Sequence, residues 1–517
     1  MIASDELHKL VKSLSQSEKR FFKIYASRHV IGEGNNYVRL FDAITAQKNY
    51  NEEAIKERFA GETFMNRFAA VKNYLHQLII KSMRSFHSGS TIDMELREML
   101  TDIDFLYQKG LYKQCQKLHL KAEKLAMETD KKTRLLEILE WKAKLLQVTS
   151  KESGQDRFHR NVFLEESKIL DTIRFSLELK SEVLDVFAMI RRKGFARSKE
   201  ELKRMRQVIR KYEKLNYNKL TFNDKYYLNY INTVYYTSSG NNVQSFIYTQ
   251  RNVNLLESIP AKLREEEFEK YIIALNNLVV NFLNAHKSRE TAPYIAKIRS
   301  LATRNIRENI LLWVTSYKLV LGVSIKFGDY AQAERIVEEI IPGISFYSDK
   351  IPVNDIALFK YNMAIVYFAN NNYSKAIRAL NEIINDQDHS LRDDIQSFSR
   401  ILRLIVLWEK GEQDMLPYTA VSTYRFLYKR KRLYKFENIV LGFIREQLPH
   451  INTNQKQNAA FRQLKEKLED LLNDPFEKKV VDYFDFITWI ESKLTKKEFR
   501  VLAKEKQNAL KITESAT

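Results

Sequence analysis

Turn-forming residues recur along this chain at a nearly constant interval, and that period limits the fold more than any motif does. The centres are Gly110, Gly154, Gly194, Gly240, His286, Gly328, Asn371 and Gly411, separated by 44, 40, 46, 46, 42, 43 and 40 residues. A further turn is expected near residues 449–450. The stretches between them place apolar residues at helical spacing, about four to five turns on each side of a centre. The 517 residues include only 13 Gly and 7 Pro, and the first proline is Pro260. Proline breaks helix interiors and glycine weakens them, so this scarcity reads as all-α. A pair of helices that cannot cover its own apolar face must stack on its neighbours. The expectation is an α-solenoid.

Three stretches carry a finer signature. In "YNMAIVYFANNNYSKAIRALNEII", Met363, Ala364 and Tyr367 fall on the first helix, and Tyr373, Ala376, Leu380 and Ile383 on the second. Gly328, Asp329, Tyr330, Ala333, Val337 and Ile340 repeat the turn and second helix, as do Gly110, Tyr112, Cys115, His119 and Ala122. This pattern resembles the tetratricopeptide repeat, where a small residue on the second helix lets the pair approach and an aromatic after the turn fills the gap. The resemblance implies a right-handed solenoid of about eight to nine two-helix repeats and a peptide-binding groove. The intervals exceed the roughly 34 residues usual for that repeat, so longer helices or loops must fill the difference.

The ends read differently. Residues 1–92 are expected to form an N-terminal helical module, with the loop around Gly32 and Gly34 exposed. "SQSE" supplies a capping box from Ser15 and Glu18, and helices are expected over 36–47, 52–60 and 64–87. The last of these could serve as the second helix of a helix-turn-helix, but its apolar surface argues for core. The stretch 85–93 reads as a linker to a repeat region over 93–473. From 474 onward, Asp474 and Pro475 start capping helices, with a frayed tail after Arg500.

A single cysteine, Cys115, excludes an internal disulfide and fits a reducing compartment. No apolar leader and no stretch of about 18 apolar residues is present, so a cytoplasmic chain without membrane contact is expected. The nine histidines lack metal-ligand spacing, and no phosphate-binding glycine loop or nucleophile motif occurs. Catalysis, metals and cofactors are therefore not expected. The net charge of +20 favours polyanionic partners, and it is uneven. Residues 191–214 hold eleven Lys and Arg against three acids, whereas 301–400 is nearly balanced.

Three features are candidates for binding. Lys199, Lys203, Arg206, Arg210 and Lys214 form a stripe opposite Leu202, Met205, Val208, Ile209, Tyr212 and Leu215, suited to a phosphate backbone in RNA, a ribosome or DNA. The same stripe is also what a solvated helix face looks like. "YRFLYKRKRLYKFE" brings Arg425, Lys429, Arg430, Lys431, Arg432 and Lys435 among five aromatics. Its period places Val421, Tyr424 and Tyr428 on a core face and the cations at a helix junction, where they complement the negative helix end. Tyr226, Tyr227, Asn229, Tyr230, Asn232, Tyr235 and Tyr236 could line a peptide groove or serve inter-helix packing. The leading expectation is a non-catalytic scaffold for a protein or peptide partner, with nucleic-acid contact as the alternative.

Overall fold

The computed structural model describes residues 5–28, 35–149, 155–194, 196–386, 391–451 and 453–515. The predicted turn centre Gly154, the loop containing Gly32 and Gly34, and His29 and His389 lie outside the described residues, as does the side chain of His159. Among the described residues every regular element is helical. No helix there is long and apolar enough to cross a membrane. The chain forms two compact units, residues 1–169 and 170–517.

In the first unit, α1 (Glu6–Ser13), α2 (Gln16–Ser27), α3 (Asn36–Ala46), α4 (Glu52–Arg58) and α5 (Phe68–Phe86) enclose one core. Phe22, Leu40, Phe41, Ile44, Leu75 and Ile79 are buried in it. The capping box at Ser15 is present: its hydroxyl accepts from the Glu18 amide, and the Glu18 carboxylate accepts from the Ser15 amide at 2.7 Å. Helix α5 buries Phe68, Leu75, Leu78 and Ile79, so the helix considered for DNA contact is committed to the core. The expected linker at 85–93 is a short capped turn. Thr91 caps α6 (Ile92–Gln108), and Glu98 accepts from Ser88 and Gly89. Helix α7 (Tyr112–Glu128) packs back on α6, and α8 (Lys132–Thr149) packs on α7. Helix α9 (Gln155–Lys193) runs on past residue 170, so the division between the units falls within it and not at residue 92.

The second unit is a series of helical hairpins. After α10 (Lys199–Tyr212) come the pairs α11 (Phe222–Ser239) with α12 (Asn242–Glu257), then, beyond the short α13 (Ala261–Glu266), α14 (Phe268–Asn284) with α15 (Ser288–Arg299). Next come α16 (Ile306–Lys326) with α17 (Tyr330–Tyr347), α18 (Val353–Ala369) with α19 (Tyr373–Ile384), and α20 (Asp393–Lys410) with α21 (Leu416–Lys429). The first helices stack in order, α14 on α16, α16 on α18 and α18 on α20.

The predicted turns have one shared geometry. Gly110, Gly194, Gly240, His286, Gly328, Asn371 and Gly411 all adopt positive φ, from +58° to +84°. At six of them the amide of the next residue bonds back to the carbonyl five positions earlier at 2.8–3.0 Å, as from Leu111 to Leu106, Asp329 to Ser324 and Asn372 to Tyr367. This closes each first helix with the six-to-one bond of a Schellman turn and satisfies a terminal carbonyl. Glycine reaches this backbone region without penalty, and asparagine is the side chain that best tolerates it.

The C-terminal segment does more than cap the last hairpin. After α22 (Lys435–Gly442) and α23 (Asn454–Leu471), a short 3-10 turn at Glu477–Asp482 leads to α24 (Phe486–Thr495) and α25 (Phe499–Ser515). This strap crosses the C-terminal ends of successive first helices. Lys479 donates to the carbonyls of Ala196 and Ser238. Phe484 meets Phe368 edge-on, and Trp489 donates to Glu409 at 2.6 Å. Phe499 packs on Tyr330 and Phe368. The tail after Arg500 was expected to fray. Residues beyond it continue α25, and Leu502 and Ala503 are buried. A Cβ at Gly328 would stand 2.9 Å from the backbone of Ala503 and Lys504, so only glycine admits the strap at that turn.

Gly328→Ala should therefore cost more than Gly240→Ala, whose φ is also positive but whose Cβ would meet open space. The expected losses are about 1 kcal/mol for Gly240→Ala and about 3 kcal/mol for Gly328→Ala, because backbone must move. Urea unfolding followed by circular dichroism measures both; equal losses would show that the strap does not depend on the close approach.

Candidate interaction surfaces

The "KRKR" junction divides into inward and outward cations. Helix α21 ends at Lys429, and Lys431 takes φ +55°. Arg430 pairs with Asp393 and lies over the Phe426 ring. Arg432 is buried, donates to the Tyr434 hydroxyl and faces Asp394. Arg432 is thus an internal charge, which corrects its expected role in anion contact. Arg425, Lys429, Lys431 and Lys435 are exposed.

The inward cations belong to a buried ionic cluster. Arg197 pairs with Glu437 and, at 2.8 Å, with Glu477, while its guanidinium lies 4.4 Å from the Tyr434 ring centre. Glu477 also accepts from the amides of Lys435 and Phe436. Beside it, Arg392 and the Tyr483 hydroxyl both donate to Asp394. Burial would raise the Asp394 carboxyl, but Arg392, Tyr483 and Arg432 hold it below the usual range. Glu437 keeps the opposite sign: burial outweighs Arg197 and pushes it up. Burial brings the Lys479 ammonium down to about 8. Perturbed groups of this kind can mark an active site. Here Arg197, Glu437, Asp394 and Lys479 join segments far apart in sequence.

Helix α21 faces solvent with its aromatic row. Leu416, Ala420, Thr423 and Leu427 form its buried face. Val421, Tyr424 and Tyr428, expected in the core, lie on the exposed face instead. Small Ala420 and Thr423 let α21 sit close to its neighbours, whereas tyrosine tolerates water at its polar tip. Tyr418 is 83% exposed and Tyr428 69%. Tyr424 and Tyr428 stack with rings 6.3 Å apart. Pro417, Tyr418, Val421, Ser422 and Arg425 line an open hollow on this face. No acid occurs between Met415 and Phe436.

The stripe on α10 is as expected on its inner side, with Met205 and Ile209 buried and Leu202, Val208 and Tyr212 half-buried. Leu215 falls beyond the helix and is exposed. Lys199, Lys203, Arg210 and Lys214 are exposed, whereas Arg206 pairs with Glu213 and lies over Tyr235.

The tyrosine and asparagine residues of α11 go to packing. Tyr226 and Asn229 are buried, which removes them from any peptide groove. Tyr230 stacks on Phe187 at 4.2 Å, and Tyr236 on Tyr248. Asn229 donates to the Tyr217 hydroxyl and Asn232 to the Leu228 carbonyl. Tyr227 and Tyr235 are half-buried, Tyr227 beside Lys270. Burial holds the Tyr226 hydroxyl well above its ordinary range.

In the first unit, Cys115 is buried with its thiol toward the Ile103 carbonyl, and burial pushes it up. His119 bonds the Ile138 carbonyl at 2.9 Å, and burial lowers its affinity for protons. Among the described residues no three His, Cys, Asp or Glu side chains gather as a metal site would require. Sequence reasoning missed Tyr418, which stands one residue after Pro417 at the start of its helix. It also missed three leucines of α9 at positions 170, 177 and 184, whose spacing of seven was readable.

Arg197→Met should destabilise the chain by about 3 kcal/mol or more near pH 8, because two buried carboxylates lose their cation. In that variant the folded pKa of Glu437 lies further above its unfolded value. The penalty is then full above that pKa and shrinks on moving from pH 8 to an acidic buffer, where the carboxyl takes a proton. Adding Glu437→Gln should restore part of the loss at pH 8. Thermal unfolding at both pH values tests this, and a loss independent of pH would contradict it.

Comparisons with protein-family models, with curated proteins and with solved structures return no match, so geometry alone carries the functional reading.

Proposed function

We propose that this chain is a non-catalytic helical-repeat scaffold, a right-handed solenoid of about eight to nine tetratricopeptide-like units that binds an acidic protein or peptide segment. The exposed face of α21 carries the reading. Met415, Tyr418, Val421, Tyr424 and Tyr428 stand in water on one side of a helix whose other side is fully buried. Tyrosine presents contact area at low entropic cost and is enriched where binding energy concentrates. Arg425, Lys429 and Lys431 flank the row, and no acid occurs in sequence between Met415 and Phe436, so a partner with apolar and acidic side chains fits both its surface and its charge. The groove route that the repeat family suggests is less accessible, since the chain's own strap crosses the ends of the first helices. Second helices such as α21 are left to present recognition surface.

Nucleic-acid contact remains a second reading, favoured by one observation. Tyrosines next to free cations can stack bases while neutralising phosphates. Lys199, Lys203, Arg210 and Lys214 would extend that contact electrostatically.

The two readings separate by fluorescence anisotropy on the full chain. A short peptide alternating Leu and Phe with Glu should bind, and Tyr418→Ala with Tyr428→Ala should weaken it about thirtyfold without lowering thermal stability. Single-stranded RNA should bind weakly, with a salt dependence flattened by Lys203→Glu and Arg210→Glu. Tight RNA binding that the tyrosine variants abolish, with no peptide binding, would overturn the scaffold reading.

A further inference from the structure

Helix α9 shows two opposite faces in the unit that begins at residue 170. Leu179, Val183 and Val186 are buried against α10 and α11. The outer face leaves three leucines in water. Leu170, Leu177 and Leu184 are 53%, 59% and 47% exposed. Seven residues bring a helix almost back to the same face, so the three form one row about 21 Å long. A single exposed leucine has no meaning. Helices pair through apolar residues that recur every 3.5 positions; the leucines supply one of the two positions per heptad, with Arg174 and Ser181 at the other.

Charge indicates what would cover the row. One residue after each leucine comes an acid, Asp171, Glu178 and Asp185. All three are exposed. None has an ion pair or a side-chain hydrogen bond among the described residues. With exposed Arg174 between Asp171 and Glu178, the edge beside the apolar row carries three acids to one cation. A second copy is a poor occupant. Antiparallel pairing about Leu177 would set the acidic edge against itself. Parallel pairing would bring Arg174, four residues after Leu170 on the same face, against its own counterpart. Like charges across a helix seam oppose pairing.

The geometry points to α9 as a docking seam for a basic amphipathic helix, one with an apolar row every seven residues flanked by Lys or Arg. The inference deepens the scaffold reading and rests on it, but it uses a different surface and the opposite charge from α21. The partner helix would lay its apolar row beside Leu170, Leu177 and Leu184 and its cations along Asp171, Glu178 and Asp185.

The probe is a synthetic three-heptad amphipathic peptide with a leucine row and flanking lysines, compared with the same peptide carrying glutamates. Anisotropy on the full chain should show the lysine peptide binding at least about tenfold more tightly than the glutamate one. Leu177→Ser with Leu184→Ser should abolish that binding while circular dichroism and thermal stability stay unchanged. Asp171→Lys, Glu178→Lys and Asp185→Lys together should reverse the preference. Equal binding of the two peptides, binding untouched by the leucine variants, or no binding of either would overturn the seam. So would a dimer in sedimentation that Leu177→Ser dissolves, since the occupant would then be a second copy. Tyr418→Ala with Tyr428→Ala serves as the separating control. It should leave the lysine peptide bound, so failure at α21 and failure at α9 are read independently.

Discussion

The second unit depends on a buried charge cluster that ties its first hairpins to its last. Arg197 follows α9, yet its carboxylate partners Glu437 and Glu477 stand 240 and 280 residues further along. Beside it, Gly194 approaches Asp394 so closely that a Cβ would fall 2.0 Å from a carboxylate oxygen. Buried ion pairs are poor sources of net stability, because desolvation cancels much of the attraction. What they impose is register. A stack of similar hairpins could slide or bend at many interfaces with little loss of apolar burial. A guanidinium that must meet two carboxylates at once, with Tyr434 under it, permits one arrangement.

The strap exploits that arrangement. Residues 477–503 supply Phe484, Phe486, Trp489 and Phe499 to the same apolar core as α16, α18 and α20. Repeat stacks usually rely on contacts between immediate neighbours. Here a segment distant in sequence touches several first helices in turn, so units that share no direct interface become coupled. Opening one hairpin would expose part of the strap, and through it the ends of the others.

The hairpin period was legible because its chemistry is local. Each turn needs one residue at positive φ, and Gly, Asn371 and His286 announce it within a few positions. The strap was not legible, since nothing near Phe484 or Trp489 indicates that their partners lie on helices of another hairpin. The face of α21 was misread for a different reason. Counting Val421, Tyr424 and Tyr428 as apolar gives a convincing core stripe, but tyrosine is amphipathic and alanine is small. Ala420, Thr423 and Leu427 bury more tightly against the neighbouring helices, and the larger side chains turn outward. The same ambiguity affected α11, where Tyr230, Asn229 and Tyr236, which could have lined a groove, are held by Phe187, Tyr217 and Tyr248. Of the KRKR run, sequence alone could not separate Arg432, which completes an internal charge cluster, from Lys431 one residue earlier, which faces water.

These placements decide where recognition can occur. Charges and aromatics that a tetratricopeptide-like groove would offer to a ligand are consumed internally by the strap and the ionic cluster. The exposed apolar rows that remain belong to outer helix faces, and they carry opposite electrostatic signs. The row on α21 has cations beside it and no acid for twenty residues, whereas the row on α9 has an acid after each leucine, none of them ion-paired among the described residues, and Arg174 between the first two. Apolar rows alone would attract any greasy helix. On the proposed reading, flanking charges would make them selective, each row rejecting the partner that the other accepts. On the proposed scaffold reading, a stack with two such rows on separate helices would hold two chemically different segments at once. The rigidity comes from buried pairs such as Arg197 with Glu437, which contribute geometry where they contribute little energy.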